Sequence, residues 1–220
     1  MLKWRKDALL KREPAYSKLN RDVDPLTPEL IHEVFTSFMV CEVGYCGETV
    51  VVSGFISYAD DVPPSEENPT PDWTPYYFPE NFYPAPAVIP ISGKLSPECT
   101  HALRSAFGLL WSDRPACANR LRSFVEHLMD QLGVPRSGPL SARLNRFAQT
   151  DPRHANTMEA LRLVGNKGSH GGNATFADLI SCFELVEAAI RDLIDRPNDE
   201  TDRIARDIIS RFKAKQTLQP

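Results

Sequence analysis

Nine of the chain's 19 prolines fall between residues 61 and 90, and no other feature limits the fold as much. Proline lacks a backbone N–H and has a fixed φ, so such a run excludes both a helix and an interior strand. The 220 residues are thereby divided into two parts with different patterning. Among the prolines stand acidic residues and the aromatics Trp73, Tyr76, Tyr77, Phe78, Phe82 and Tyr83. Aromatics in that number predict an extended connector lying along a surface, not a free linker.

Before the connector the patterning is mixed. Residues 1–20 are basic, and Trp4, Ala8 and Leu9 form a weak apolar stripe that predicts a short helix. Asp24-Pro25 and Thr27-Pro28 are turn signals. The pattern from Glu29 to Phe38 suits a helix and a strand equally. The run Glu48 to Tyr58 is rich in β-branched and aromatic residues and predicts a strand. Phe38 to Val43 is its expected partner, across a turn at residues 44–47.

After the connector the period becomes helical. Ser96-Pro97 is a start signal, an N-cap followed by proline at the first helical position. It opens a helix running to about Trp111. A second begins at Asp113 and Pro115, where Ala118, Leu121, Val125, Leu128 and Leu132 recur at three- and four-residue steps; Gly133 and Pro135 end it. Further helices are expected over about 140–148, 152–164, 175–194 and 200–213. The fifth opens at a capping box of Thr175 and Asp178. The expected fold is mainly α, an antiparallel helical bundle preceded by a small β-rich module. Its parts are 1–58 with a β-hairpin, the connector 59–92, the bundle 93–196 and a C-terminal helix 197–220.

Charge narrows the function classes. A net charge of −4 argues against a surface built for indiscriminate nucleic-acid binding. Between Ser112 and His170, however, nine basic residues outnumber five acidic ones, and eight of the nine are arginine. Arginine suits bidentate phosphate recognition, although arginines also line ordinary solvated helix faces. The basic start has no apolar run after it, as a secretory signal would need, and no stretch is long and apolar enough to span a bilayer. Five irregularly spaced cysteines read as reduced thiols of a cytoplasmic protein.

Two residue groups invite chemistry. Arg162, Asn166 and His170 are spaced i, i+4, i+8, which puts them on one helix face provided the helix continues past Gly165 and Gly168. There an arginine could hold a phosphate while a histidine moves a proton near neutral pH. The structural alternative pairs Arg162 with Glu126 or Glu159 and uses Asn166 as a cap. Arg122 with Glu126 reads as an i,i+4 ion pair. Arg122, Lys167 and Arg153 are the cations expected to meet a nucleic acid or a protein partner. Cys41 and Cys46 have the spacing of half a zinc site, but no second cysteine pair follows, so free thiols in a hairpin is the competing reading. Glu184 and Glu187 are i,i+3 with nothing else to mark them. No Gly-rich phosphate loop, Ser-His-Asp order or metalloprotease helix is present, and no cofactor is expected.

Three segments carry a family resemblance over about Ile89–Ile194: Tyr83-Pro84-Ala85-Pro86-Ala87-Val88-Ile89-Pro90, Leu121-Arg122-Ser123-Phe124-Val125-Glu126-His127-Leu128, and Leu161-Arg162-Leu163-Val164-Gly165-Asn166-Lys167-Gly168-Ser169-His170. They resemble the bacterial family known as domain of unknown function 4145. Cys41-Glu42-Val43-Gly44-Tyr45-Cys46-Gly47 is similar to a cysteine pair in the β-rich module of many relatives. That family is related to the HEPN superfamily, whose active members are metal-independent ribonucleases with an arginine and a histidine a few residues apart at a dimer interface. Here seven residues separate Arg162 from His170, a departure from the active pattern. The resemblance implies a homodimer that acts as a binding or accessory protein of a defence or restriction-type system, with RNA or a protein as partner and no membrane association. The alternatives are an endoribonuclease using Arg162, Asn166 and His170, and a purely structural helical scaffold.

Overall fold

The computed structural model describes residues 2–23, 32–43, 46–60, 73–169 and 174–216. They form two compact units, Met1–Pro86 with Phe107–Asp113, and Ala87–Ala106 with Arg114–Pro220.

The first unit is built on a four-stranded antiparallel sheet of strands β1 (Leu2–Arg12), β2 (His32–Cys41), β3 (Thr49–Asp60) and β4 (Trp73–Tyr83), in that spatial order. A short helix, α1 (Ala15–Val23), follows β1. The expected hairpin is present as β2 and β3, with residues 44 and 45 of its turn outside the described residues. Two expectations are corrected. The basic start is a strand, since Leu2–Arg5 and Leu10–Arg12 pair with β2 around a bulge. Within the connector Trp73–Tyr83 is also a strand, while residues 61–72 lie outside the described residues. Prolines are tolerated in β4 because it is an edge strand, with only one side required to donate to the ladder.

One face of the sheet holds the unit's core. Phe35, Val52 and Ile56 are buried there, with Trp4, Leu9, Met39, Tyr58, Tyr77 and Phe82 packed around them. Trp4, Phe35 and Tyr77 meet at ring-centroid distances of 5.3–5.5 Å, inside the range of favourable tilted and edge-on pairs. Burying each such side chain contributes about 1.5–3 kcal/mol. Gly54 is required at the irregularity in the β3–β4 pairing, where a Cβ would stand 2.0 Å from the Phe78 carbonyl oxygen.

The second unit contains α3 (Arg114–Gln131), α4 (Leu140–Phe147), α5 (Pro152–Ser169), α6 (Phe176–Ile190) and α7 (Pro197–Gln216), together with the first part of α2 (Pro97–Ser112). A π-turn over Arg191–Asp195 extends α6. Ser96 caps α2 by accepting from the Cys99 N–H, and Thr175 and Asp178 form the expected capping box of α6. Gly133, with φ of 75°, closes α3, as its place after the apolar stripe implies. Leu103, Leu121, Phe124, Leu128, Met158, Leu161, Leu179 and Phe183 are fully buried. The α3 helix packs chiefly on α5, α4 lies against both, and α6 adds to the same pair. No helix among the described residues is long and apolar enough to cross a membrane.

Candidate functional site

Helix α5 continues through Gly165 and Gly168 to Ser169, one turn beyond its expected end at Val164. Gly165 persists in the helix because it permits a close crossing with α3. A Cβ at this position would stand 2.4 Å from the Arg122 Cβ and 2.9 Å from the Ala118 carbonyl oxygen. The glycine that seemed to threaten the helix is the residue that lets it pack.

Arg162 and Asn166 therefore lie one turn apart on α5. The Arg162 guanidinium is bound within its own helix, with Nε and Nη2 donating to the two carboxylate oxygens of Glu159 at 2.7 and 2.6 Å. This fork raises the arginine above its ordinary pKa and lowers that of Glu159 through the same hydrogen bonds. Of the two partners proposed for Arg162, Glu159 is the one it takes. Asn166 is half-buried and Lys167, in the last turn, is exposed. His170 lies outside the described residues.

The other expected cations are dispersed. Arg122 bonds Glu126 at 2.9 Å as an i,i+4 pair. Arg153, at the start of α5, approaches Asp192 at 3.8 Å and is largely exposed. Beside it His154 is held between two carboxylates, Nδ1 to Asp151 at 2.7 Å and Nε2 to Asp192 at 3.4 Å. Cys41 and Cys46 are free thiols at the β2–β3 hairpin. Hydrogen bonds from the Val43 backbone and then from Cys46 hold the Cys41 thiol below its usual pKa. Among the described residues no group of three or more His, Cys, Asp or Glu side chains is gathered as a metal ion would require.

A cluster that the sequence did not reveal centres on Arg143. Its side chain is 8% exposed and donates to Asp130 at 2.6 Å, to the Val134 carbonyl at 3.0 Å and to the Glu126 carbonyl at 3.4 Å. Arg136 holds the same Asp130 from the solvent side at 3.0 Å. Arg122, Glu126, His127, Asp130, Arg136 and Arg143 line a cleft of about 430 Å3. Each lining carboxylate is already engaged, so the cleft reads as a mostly self-neutralised network that fastens the α3–α4 loop. Arg146 adds to it by donating to the Pro135 and Ser137 carbonyls. One signal was available: Arg143 stands in the apolar stripe Leu140, Leu144, Phe147 at helical spacing.

The geometry defines a helical domain with an arginine-rich, internally paired surface, joined in one chain to an antiparallel sheet module. Residues 104–211 match the model of the family described as Domain of unknown function (DUF4145), and this stretch belongs to that family. No curated protein and no solved structure matches the chain significantly.

Proposed function

We propose that this chain is a HEPN-like, self-associating binding or accessory protein, one that acts by engaging a partner and not by turnover. The support is helix α7. Ile204, Ile208 and Ile209 form a stripe on it and are 50%, 44% and 51% exposed, a spacing suited to a partner helix. The sequence of α7 is also polarised, with Asp199, Glu200 and Asp202 in its early turns and Arg211, Lys213 and Lys215 in its late ones. Two copies set antiparallel would bring acidic turns against basic ones across the isoleucines, an isologous two-fold contact. The pairing of Arg162 with Glu159 favours binding over catalysis, because a phosphate would have to displace a carboxylate that already fills the guanidinium fork. The setting in a cytoplasmic defence or restriction-type system rests on the HEPN resemblance alone.

The test is the solution mass of the full chain. Light scattering should give a dimer for the wild type and a monomer for Ile204→Glu/Ile208→Glu, with unchanged circular dichroism. Single-stranded RNA incubated with either protein in chelator should stay intact. A wild type that remains monomeric at the highest concentrations tested would overturn the reading, as would RNA products ending in 2′,3′-cyclic phosphate.

A further inference from the structure

One face of the sheet is closed by the core; the other carries the side chains that alternate with it. The pairing register sorts these into cross-strand rows. One row runs Arg12, Val34, Phe55, Phe78, and another Arg5, Phe38, Val51, Tyr83. Between them lies a row of Leu10, Thr36, Ser53 and Asn81. The two outer rows share one order: a guanidinium on β1, apolar side chains on β2 and β3, and an aromatic ring on β4.

This face is open. Val34 is 47% exposed, Phe38 41%, Phe78 44% and Tyr83 79%. Water-exposed aromatics at this density are not explained by the unit's own stability, since its core is on the opposite face. The Phe55 and Phe78 rings stack with centroids 4.7 Å apart and planes within 9°. Because β4 is an edge strand, no strand among the described residues stands beyond Phe78, and another flat group can extend the stack there. The short side chains of Thr36 and Ser53 in the middle row leave a trough of about 510 Å3 across the sheet, with Leu10 and Arg12 at one end and Glu80 and Asn81 at the other.

Charge at the paired positions of this face has one sign, while the carboxylates beside it, Asp7, Glu42 and Glu80, stand at unpaired positions. Lys3, Arg5 and Arg12 occupy its paired positions on β1, and none of the paired positions described on this face is a carboxylate. Arg5 is engaged by Asp7 and Lys3 by Glu42, but both are exposed surface pairs. Asp7 fills the Arg5 fork as Glu159 fills that of Arg162, but an exposed pair holds little net energy and costs less to displace than one on a half-buried arginine.

We infer that the open face of the β1–β4 sheet binds single-stranded nucleic acid. Two bases would stack at Phe78 and Tyr83, the backbone phosphates would lie along Arg5 and Arg12, and Thr36, Ser53 and Asn81 of the middle row would contact base edges. The two outer rows are about 13 Å apart along the strands, so each can take its own base while the intervening nucleotide crosses the trough. Stacking on exposed aromatics beside cations is the general means by which sheets hold unpaired strands, since every base offers a flat face. A duplex keeps its bases stacked internally and could use only the arginines. A protein partner suits the face less well, because Thr36, Ser53 and Asn81 divide the apolar surface of β2 to β4 and the arginines fringe it. The inference is independent of self-association through α7, and the two can fail separately.

The test is fluorescence anisotropy on the full chain with a labelled oligouridine, a DNA of equivalent length and a duplex, at low salt. Saturable binding of the single strands that weakens as salt rises is expected. Phe78→Ala and Tyr83→Ala should each reduce affinity by roughly 5- to 100-fold, and Phe78→Leu should fail to restore it although it keeps apolar area. Phe78→Trp should bind at least as tightly as wild type. Arg12→Gln should flatten the salt dependence by about one charge. No binding at protein concentrations up to about 10⁻⁴ M would overturn the proposal. So would tighter binding of the duplex, or Phe78→Ala binding like wild type. Loss of a higher-mass species in Phe78→Ala, with no oligonucleotide bound by either protein, would assign the face to a second copy of the chain and overturn it as well.

Discussion

Gly165 of α5 and Arg122 of α3 approach so closely that no side chain fits between their backbones. A Cβ on the glycine would lie 2.4 Å from the Arg122 Cβ. In an isolated helix, alanine is favoured over glycine by about 1 kcal/mol. Here that gain is opposed by contact with a Cβ and with the Ala118 carbonyl oxygen, neither of which is the flexible end of a side chain. Overpacking of this kind costs about 1–3 kcal/mol. Gly165→Ala should therefore lower stability despite better helix propensity, read as a reduced midpoint in urea with the slope unchanged.

Arg143 presents a second such dependence. Removing it strips Asp130 of its buried partner and leaves the Val134 carbonyl without its donor. Breaking a buried pair from one side costs about 3 kcal/mol. Arg143→Ala should lose roughly that amount, and Arg143→Lys should recover only part, since one ammonium cannot reproduce a three-way fork. Arg136→Ala, at an 80% exposed side chain, should change stability by less than about 1 kcal/mol. Thermal melts of the three variants provide the comparison, and equal losses at Arg136 and Arg143 would contradict it.

Acid should weaken the helical unit through the same residues. Burial pushes the Asp130 carboxyl up, but hydrogen bonds from Arg136 and Arg143 outweigh that and hold it below the usual carboxylate range. Asp151 behaves alike, with burial outweighed by the backbone and ring of His154. A lowered folded pKa means that the unfolded chain takes up protons first, so stability rises with pH. The contribution is complete above the ordinary aspartate value of about 4 and drains away as pH falls from there through the lowered folded values. Asp130→Asn should flatten the stability–pH curve between about pH 5 and 2, measured by urea denaturation at each pH. A variant curve parallel to wild type would rule out this linkage.

The thiols should separate into two classes. Cys99, Cys117 and Cys182 are buried, and burial pushes the Cys182 thiol up to about 11. Cys41 and Cys46 are accessible, and Cys41 is held below its usual value by the Val43 backbone and Cys46. Since the thiolate is the reactive form, iodoacetamide at neutral pH should label Cys41 and Cys46 in the native protein, Cys41 the faster. The other three should react only in denaturant. Peptide mass spectrometry gives the order, and early labelling of Cys182 would contradict it.

Much of the chain is set by local chemistry that can be read residue by residue. The stripe Ala118, Leu121, Val125 and Leu128 is buried along α3, Ser96 and Thr175 cap the helices they precede, and the β-branched run at Thr49 pairs with the strand before it. Period, caps and stop signals act within a few residues, so sequence by itself determines them. The family was legible for the same reason, in short segments whose residues stand together in the chain.

Tertiary structure decided what depends on distant neighbours. The segment Leu2–Arg12 has a weak helical stripe, yet it is a strand because β2 offers it an edge. Pro75 and Pro79 exclude an interior strand but not the edge position that β4 occupies. Gly165 stays helical because α3 crosses there. Arg162 faces Glu159 and Arg143 lies buried on Asp130, so two arginines that look alike in sequence differ in what they can bind. The open face of the sheet needed the register of all four strands, because Arg12, Val34, Phe55 and Phe78 become one row only when hydrogen bonds bring segments many residues apart to neighbouring positions.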